Sequence, residues 1–132
     1  MDLHDLYPDL VLEEVKHPQN LGKLTDADIS VSEGVASCGD LATVYLKIEK
    51  DKIKHMTWEA EGCAISRAGL SLLSSSVVGK PVTEVSQWTI KEMLSLLHLE
   101  QISPGREQCL LLGLRALQRA LTQLSANQKA QK

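Results

Sequence analysis

Residues 44–66 read VYLKIEKDKIKHMTWEAEGCAIS, and the period changes once within them. Val44, Leu46 and Ile48 alternate with Tyr45, Lys47 and Glu49, the two-residue period of a strand with one buried face. Lys50-Asp51-Lys52 is a short polar turn. Ile53 to Ala60 follows as a partner strand, with Met56, Trp58 and Ala60 on one face and Lys54, His55, Thr57 and Glu59 mixed on the other. After Gly62 the apolar spacing becomes helical. The pattern predicts a helix from Cys63 to Val78, stopped at Gly79-Lys80-Pro81.

Outward from this stretch, Ile29 to Ala36 alternates weakly and completes three strands over residues 29–61. An antiparallel meander with one wet face is the natural product. Before it, Leu6, Leu10, Val11 and Val15 recur at helical spacing, predicting a helix from Asp5 to His17 that Pro18 ends and Gln19-Asn20-Leu21-Gly22 turns away from. Beyond it, short helices are expected near Val82–Ser86 and Thr89–Leu97. A last helix opens at Ser103-Pro104, where Ser is a good N-cap and Pro suits the first helical position. Leu110, Leu114, Leu117 and Leu121 carry that helix to about Leu124. The polar tail 125–132 is expected to fray. These elements make an α+β fold, a small three-stranded antiparallel sheet covered by helices. The chain is expected to be one domain over residues 1–132, with its core in 5–124.

The composition narrows the function. The chain has 132 residues, 43% of them hydrophobic, with two Trp, two Tyr and no Phe, so the core is aliphatic. The net charge is -3 and no Lys/Arg block stands out, which argues against nucleic acid, since phosphate neutralisation needs a clustered positive footprint. Arg106, Arg115 and Arg119 on the last helix read as a solvated face. The start, Met1-Asp2-Leu3-His4-Asp5, has no basic stretch followed by an apolar run, and no segment is apolar enough for a membrane span. Neither a secretory signal nor a membrane partner is expected. Three cysteines, an odd number, point to a reducing, cytoplasmic compartment where spaced thiols serve as ligands or nucleophiles rather than disulfides.

Those cysteines come from separate segments: Cys38 in Ala36-Ser37-Cys38-Gly39-Asp40, Cys63 after Gly62, and Cys109 in Arg106-Glu107-Gln108-Cys109. With Asp40 they make four possible donors for one tetrahedral metal, and zinc accepts both thiolate and carboxylate. Gly39 permits the tight backbone that lets Cys38 and Asp40 face one point. Cys63 falls at a helix start, where the macrodipole favours an anion. Arg106 lies three residues before Cys109, on the same side of its helix. Each piece also has a plainer reading: Cys38 as a small half-buried apolar residue beside a strand-edge Asp40, Cys63 as a thiol packed under the sheet, Cys109 as a core position in a leucine-rich helix. No CxxC spacing decides between them. His4, His17, His55 and His98 read as surface or structural residues, and no Ser-His-Asp spacing, phosphate loop or dinucleotide fingerprint is present.

With these residues in view, the chain resembles the U-type iron–sulfur cluster assembly scaffolds, the family of IscU, SufU and the N-terminal domain of NifU. The matching pieces are His17-Pro18-Gln19-Asn20-Leu21-Gly22, Ala36-Ser37-Cys38-Gly39-Asp40, Gly62-Cys63-Ala64-Ile65-Ser66 and the late Cys109. The resemblance spans nearly all of residues 5–124 and implies a SufE/NifU-like fold. It implies a scaffold or carrier rather than a catalyst, which takes sulfur from a cysteine desulfurase, takes iron, builds a 2Fe–2S-type cluster and hands it to acceptor proteins. Cys38, Cys63 and Cys109 would be the ligands, Asp40 the labile fourth ligand, and Cys109 a persulfide acceptor. Gly39, Gly62 and Arg106 would support them.

The subgroup signals are mixed. Gln108 stands where IscU-type members place a histidine, and Ile102-Ser103-Pro104-Gly105-Arg106 stands where they carry a Leu-Pro-Pro-Val-Lys chaperone-docking stretch. Arg106 before Cys109 resembles SufU, whose alternative activity is zinc-dependent sulfur transfer; yet the step from Cys63 to Cys109 leaves no room for the insertion SufU members carry there. The cofactor is accordingly expected to be an iron–sulfur cluster or Zn2+. The protein is expected to be a monomer or weak homodimer.

Overall fold

The computed structural model describes residues 9–35 and 39–130; Cys38 and the predicted helical turn over residues 5–8 lie outside the described residues. The elements run α1 (Asp9–Lys16), β1 (Ile29–Val35), β2 (Asp40–Glu49), β3 (Lys52–Glu61), α2 (Ala64–Ser76), α3 (Val82–Val85), α4 (Ile90–Leu96) and α5 (Pro104–Ala130). The three strands form one antiparallel sheet in the order β1-β2-β3, the meander that the alternation predicts.

Register follows the apolar face. Val44 stands opposite Val31 on one side and Trp58 on the other, and Leu46 opposite Met56. All five are buried, so cross-strand apolar pairs hold the pairing; a slip by one residue would turn them to water. Lys50 and Asp51 turn β2 into β3 with φ of 55° and 63°, the left-handed pair whose twist matches that of the strands it joins. A register irregularity at Lys47/Ile48 follows just before this turn and brings Ile53 inward, fully buried.

The helices cover the apolar face of the sheet. Trp58, Leu46, Ile53 and Met56 meet Ile65, Leu70 and Leu73 of α2 and Leu110, Leu114 and Leu117 of α5 in one core, with Met93 and Leu97 from the α4 region. The free edge of β3 is capped by the Gln19–Gly22 segment: the Trp58 amide donates to the Asn20 carbonyl at 3.1 Å and the Gly22 amide to the Trp58 carbonyl at 2.7 Å. That cover removes a long unpaired edge. Among the described residues no helix is long and apolar enough to cross a membrane.

Two boundaries among the described residues differ from the sequence reading by more than one residue. α2 ends at Ser76, with Val77 as its C-cap and Gly79 beyond at φ 85°, so the chain leaves the helix slightly before Val78. α5 continues to Ala130, past Leu124. The residues expected to fray, Ser125 to Ala130, include Ala126, Gln128, Lys129 and Ala130, good helix formers with no Gly or Pro to stop them. The leucine periodicity ends near Leu121 because the contact with the core ends there; the helix does not.

A buried carboxylate between two thiols

Asp40 is the first residue of β2, paired across the sheet with Val35. Gly39 ahead of it has φ 74° and donates its amide to the Val35 carbonyl at 2.9 Å, a left-handed step that glycine takes without steric cost. The turn sets Asp40 pointing under the sheet, where it is only 6% exposed. A carboxylate buried this deeply needs partners, and it has them. Ser66 Oγ donates to Asp40 Oδ2 at 2.6 Å, and the Cys63 amide approaches the same oxygen at 3.5 Å. Burial pushes the Asp40 carboxyl up, but hydrogen bonds from Ser66, from Cys109 and from the Cys63 amide and thiol outweigh it and hold the group below its ordinary value. Asp40 is thus an anion at neutral pH, inside the fold.

Cys63 is the N-cap of α2, in extended conformation with φ -76° and ψ 172°, as its place after Gly62 predicts. It is half-buried, and its Sγ lies 3.7 Å from Ser66 Oγ. Cys109 sits in the second turn of α5 and is 1% exposed, so the plainer reading of it as a core residue also holds. Its carbonyl lies 3.2 Å from Ser66 Oγ. One ligand atom from each of Asp40, Cys63 and Cys109 falls within 4.8 Å of the others. Neither Cys63 nor Cys109 is in a disulfide.

This donor set suits a soft, thiophilic centre. Zinc–thiolate bonds near 2.3 Å place the donors of a tetrahedral centre roughly 3.7 Å apart. Closing the trio onto one ion therefore takes about an ångström of side-chain motion. Thiolates also suit iron–sulfur centres, while the carboxylate is a hard donor and a weaker partner for them. The supporting residues divide. Gly62 is pressed against Asp40: a Cβ there would stand 2.8 Å from Asp40 Cγ. Arg106 lies on the exposed first turn of α5. Gln108 is exposed and accepts a hydrogen bond from Arg115 along the same helix.

The sequence reading gave Ser66 no role beyond a matching letter. The structure puts its hydroxyl at the middle of the trio, 1% exposed. The available signal was its spacing, three residues after Cys63 at a helix start, which places both on one side of the helix.

A family model, the NifU-like N terminal domain, matches residues 6–131. The chain belongs to that family. Members outside this chain are similar at modest identity. The iron–sulfur cluster assembly scaffold protein IscU 1 of Archaeoglobus fulgidus is 33% identical over 64% of this chain and 55% of its own length. The zinc-dependent sulfurtransferase SufU of Bacillus subtilis is 32% identical over 61% of this chain and 54% of its own. The chain therefore spans about half the length of these relatives in alignment. The crystal structure of FiSufU from Fervidobacterium islandicum AW-1, assigned as an iron–sulfur cluster assembly scaffold for the SUF system, superposes with a TM-score of 0.75 at 27% identity, covering 89% of this chain and 98% of that one. The NifU-like fold is thus present from α1 to α5.

Proposed function

We propose that this protein is an iron–sulfur cluster assembly scaffold, which receives sulfur and iron at the Asp40–Cys63–Cys109 trio and passes the assembled cluster on. The cluster is cargo. The observation that carries the reading is a buried carboxylate set beside two thiols that form no disulfide, all three donors within 4.8 Å. Thiolates supply affinity for the cluster; the aspartate, a poorer partner for it, leaves one bond easy to exchange. Cys38, adjacent to Gly39 in the sequence, is the third thiol of the proposed set. The sulfur donor would be a cysteine desulfurase, the recipients apo iron–sulfur proteins, and a 2Fe–2S cluster the product, in a reducing cytoplasmic compartment that keeps the thiols reduced.

A second reading is favoured by the similarity to SufU: sulfur transfer with zinc as the resident ion. Asp40, Cys63 and Cys109, with Cys38, would hold the zinc, which would keep the thiols as thiolates and the site closed. In that reading the Cys109 thiolate attacks the terminal sulfur of a desulfurase persulfide. The desulfurase cysteine leaves as a thiolate, and Cys109 carries the persulfide.

One experiment separates the two. Protein purified without oxygen is assayed for iron, sulfide and zinc before and after incubation with ferrous iron, cysteine and a cysteine desulfurase. Equal iron and sulfide with visible charge-transfer bands, lost in Cys63→Ser, is the scaffold result. Tight zinc, no colour and a mass increase of one sulfur on Cys109 is the transfer result. Neither metal nor sulfur bound would overturn both.

A further inference from the structure

We propose that Ser66 is the positioning residue of this site: its hydroxyl pins one oxygen of Asp40, aims the other at the incoming metal, and keeps the carboxylate satisfied when the site is empty. The inference rests on the reading of Asp40 as a ligand given above.

The hydroxyl has one proton and three polar neighbours. Asp40 Oδ2 is at 2.6 Å, the Cys109 carbonyl at 3.2 Å and Cys63 Sγ at 3.7 Å. The shortest contact is to the anion, and charge-assisted bonds are the stronger ones, so the proton belongs to Asp40. The longer Cys63 amide contact falls on the same oxygen. Both bonds fall on Oδ2 and do not compete for a metal's ligands, whereas the hydrogen bonds that the Cys109 and Cys63 thiols make to the carboxylate are the ones a metal would replace. Ser66 is fixed in turn by its place in the first turn of α2 and by burial at 1% exposure, so it has little freedom to point elsewhere.

A carrier spends part of its cycle empty. A buried carboxylate with nothing to bind is costly, and a fold that depended on cargo would come apart on release. When the cargo leaves, Ser66, with the Cys63 amide and the two thiols, keeps the carboxylate partnered. It also holds the aspartate in the same rotamer for the next load, the work that an outer hydrogen bond does for a ligating group.

Cobalt(II) alone, added to reduced apo-protein under argon, tests this through its thiolate charge-transfer absorption. Ser66→Ala is expected to weaken cobalt binding by about tenfold or more. Ser66→Thr and Ser66→Val form an isosteric pair that differs only in the hydroxyl, so the comparison survives if Ser66→Ala does not fold. The threonine variant is expected to bind at least ~10-fold tighter than the valine. In an Asp40→Ala background, removing the Ser66 hydroxyl is expected to change nothing further, because it acts through Asp40. Ser71→Ala, in a buried network with Glu14 and Gln19, is expected to lower thermal stability with cobalt affinity unchanged. Equal affinities for the threonine and valine variants, or Ser66 and Asp40 losses that simply add, would overturn the positioning role while leaving the site reading intact. A wild-type protein that binds no cobalt would overturn the site reading, and the role of Ser66 with it.

Discussion

Gly62 and Asp40 share one space: a Cβ on Gly62 would lie 2.8 Å from Asp40 Cγ and 3.0 Å from Oδ2. The glycine before Cys63 is there for the carboxylate, since its own backbone is in no left-handed region. Gly62→Ala must push Asp40 away from Ser66, or push the end of β3 away from β2. Either breaks the trio. Metal affinity is expected to fall by about tenfold or more, measured by cobalt titration, with a smaller loss of stability because the core is untouched.

A second close approach sets the position of Cys109. Gly113, one turn further along α5, faces Leu70 of α2: its missing Cβ would stand 2.7 Å from Leu70 Cδ2 and 3.0 Å from Cγ, and Leu70 is fully buried. Gly113→Ala gains roughly 1 kcal/mol of helix propensity and loses about 1–3 kcal/mol to overpacking. A net destabilisation of about 1 kcal/mol is expected in urea unfolding. Leu70→Ala alone leaves a cavity and costs about 2–5 kcal/mol. The double variant is expected to be more stable than the sum of the two, because the alanine at 113 partly fills what Leu70 vacates.

What could be read in advance, and what could not, follows from the range of each interaction. The Val44–Ile48 alternation and the Lys50-Asp51 turn are local, and the sheet formed where they placed it. Helix starts at Cys63 and Pro104 depend on a few adjacent residues and were legible too. The end of α5 was not, because the leucine stripe marks where the core stops rather than where the helix does. The place of Ser66 was hidden for a different reason. Its partner, Asp40, arrives from another strand, and no period in one segment encodes that meeting.

α4 has a capping box: Thr89 Oγ1 accepts from the Lys91 amide, and Glu92 Oε2 accepts from the Thr89 amide. The bonds from the Thr89 amide, the Glu92 amide and the Thr89 hydroxyl, in that order, hold the Glu92 carboxyl below its ordinary 4.5. A group depressed in the folded state stabilises above its unfolded value and loses that contribution as pH falls through its folded one. The stability difference between wild type and Glu92→Gln is therefore expected to be flat above about pH 4.5 and to shrink below it. Thermal melts at a series of pH values would show it. A difference that grew on acidification would mean the carboxylate is not the cap.

Glu14 is a charged residue of α1 that is only 8% exposed. It accepts from Ser71 Oγ at 2.8 Å and from Gln19 Nε2, while the Gln19 amide donates to Ser71 Oγ at 2.7 Å and the Gln19 carbonyl accepts from Trp58 Nε1 at 2.8 Å. The chain of bonds fastens α1 and the edge cover of β3 to α2. Glu14→Ala leaves Ser71 and Gln19 donors unpaired and is expected to cost about 2 kcal/mol by chemical denaturation. Hydrogen exchange should speed at the Gly22 amide and in α1. Cobalt affinity is expected to stay, since none of these groups touches the trio.

The two described thiols differ in reach, and that bears on sulfur transfer. Cys63 is half-buried at the mouth of α2 while Cys109 is 1% exposed. In the native apo-protein, iodoacetamide is expected to modify Cys63 well before Cys109, followed by mass spectrometry of the digested protein. Cys109 should react only as fast as the first turns of α5 lift, so its rate should rise with mild denaturant while that of Cys63 hardly changes. Zinc should slow both, by holding them as ligands. If a desulfurase nonetheless loads Cys109 rapidly, docking must itself open α5, and the rate of Cys109 alkylation should rise in the presence of the desulfurase without its substrate. If loading goes to Cys63 instead, the exposed thiol is the acceptor and Cys109 serves only to hold what Cys63 receives.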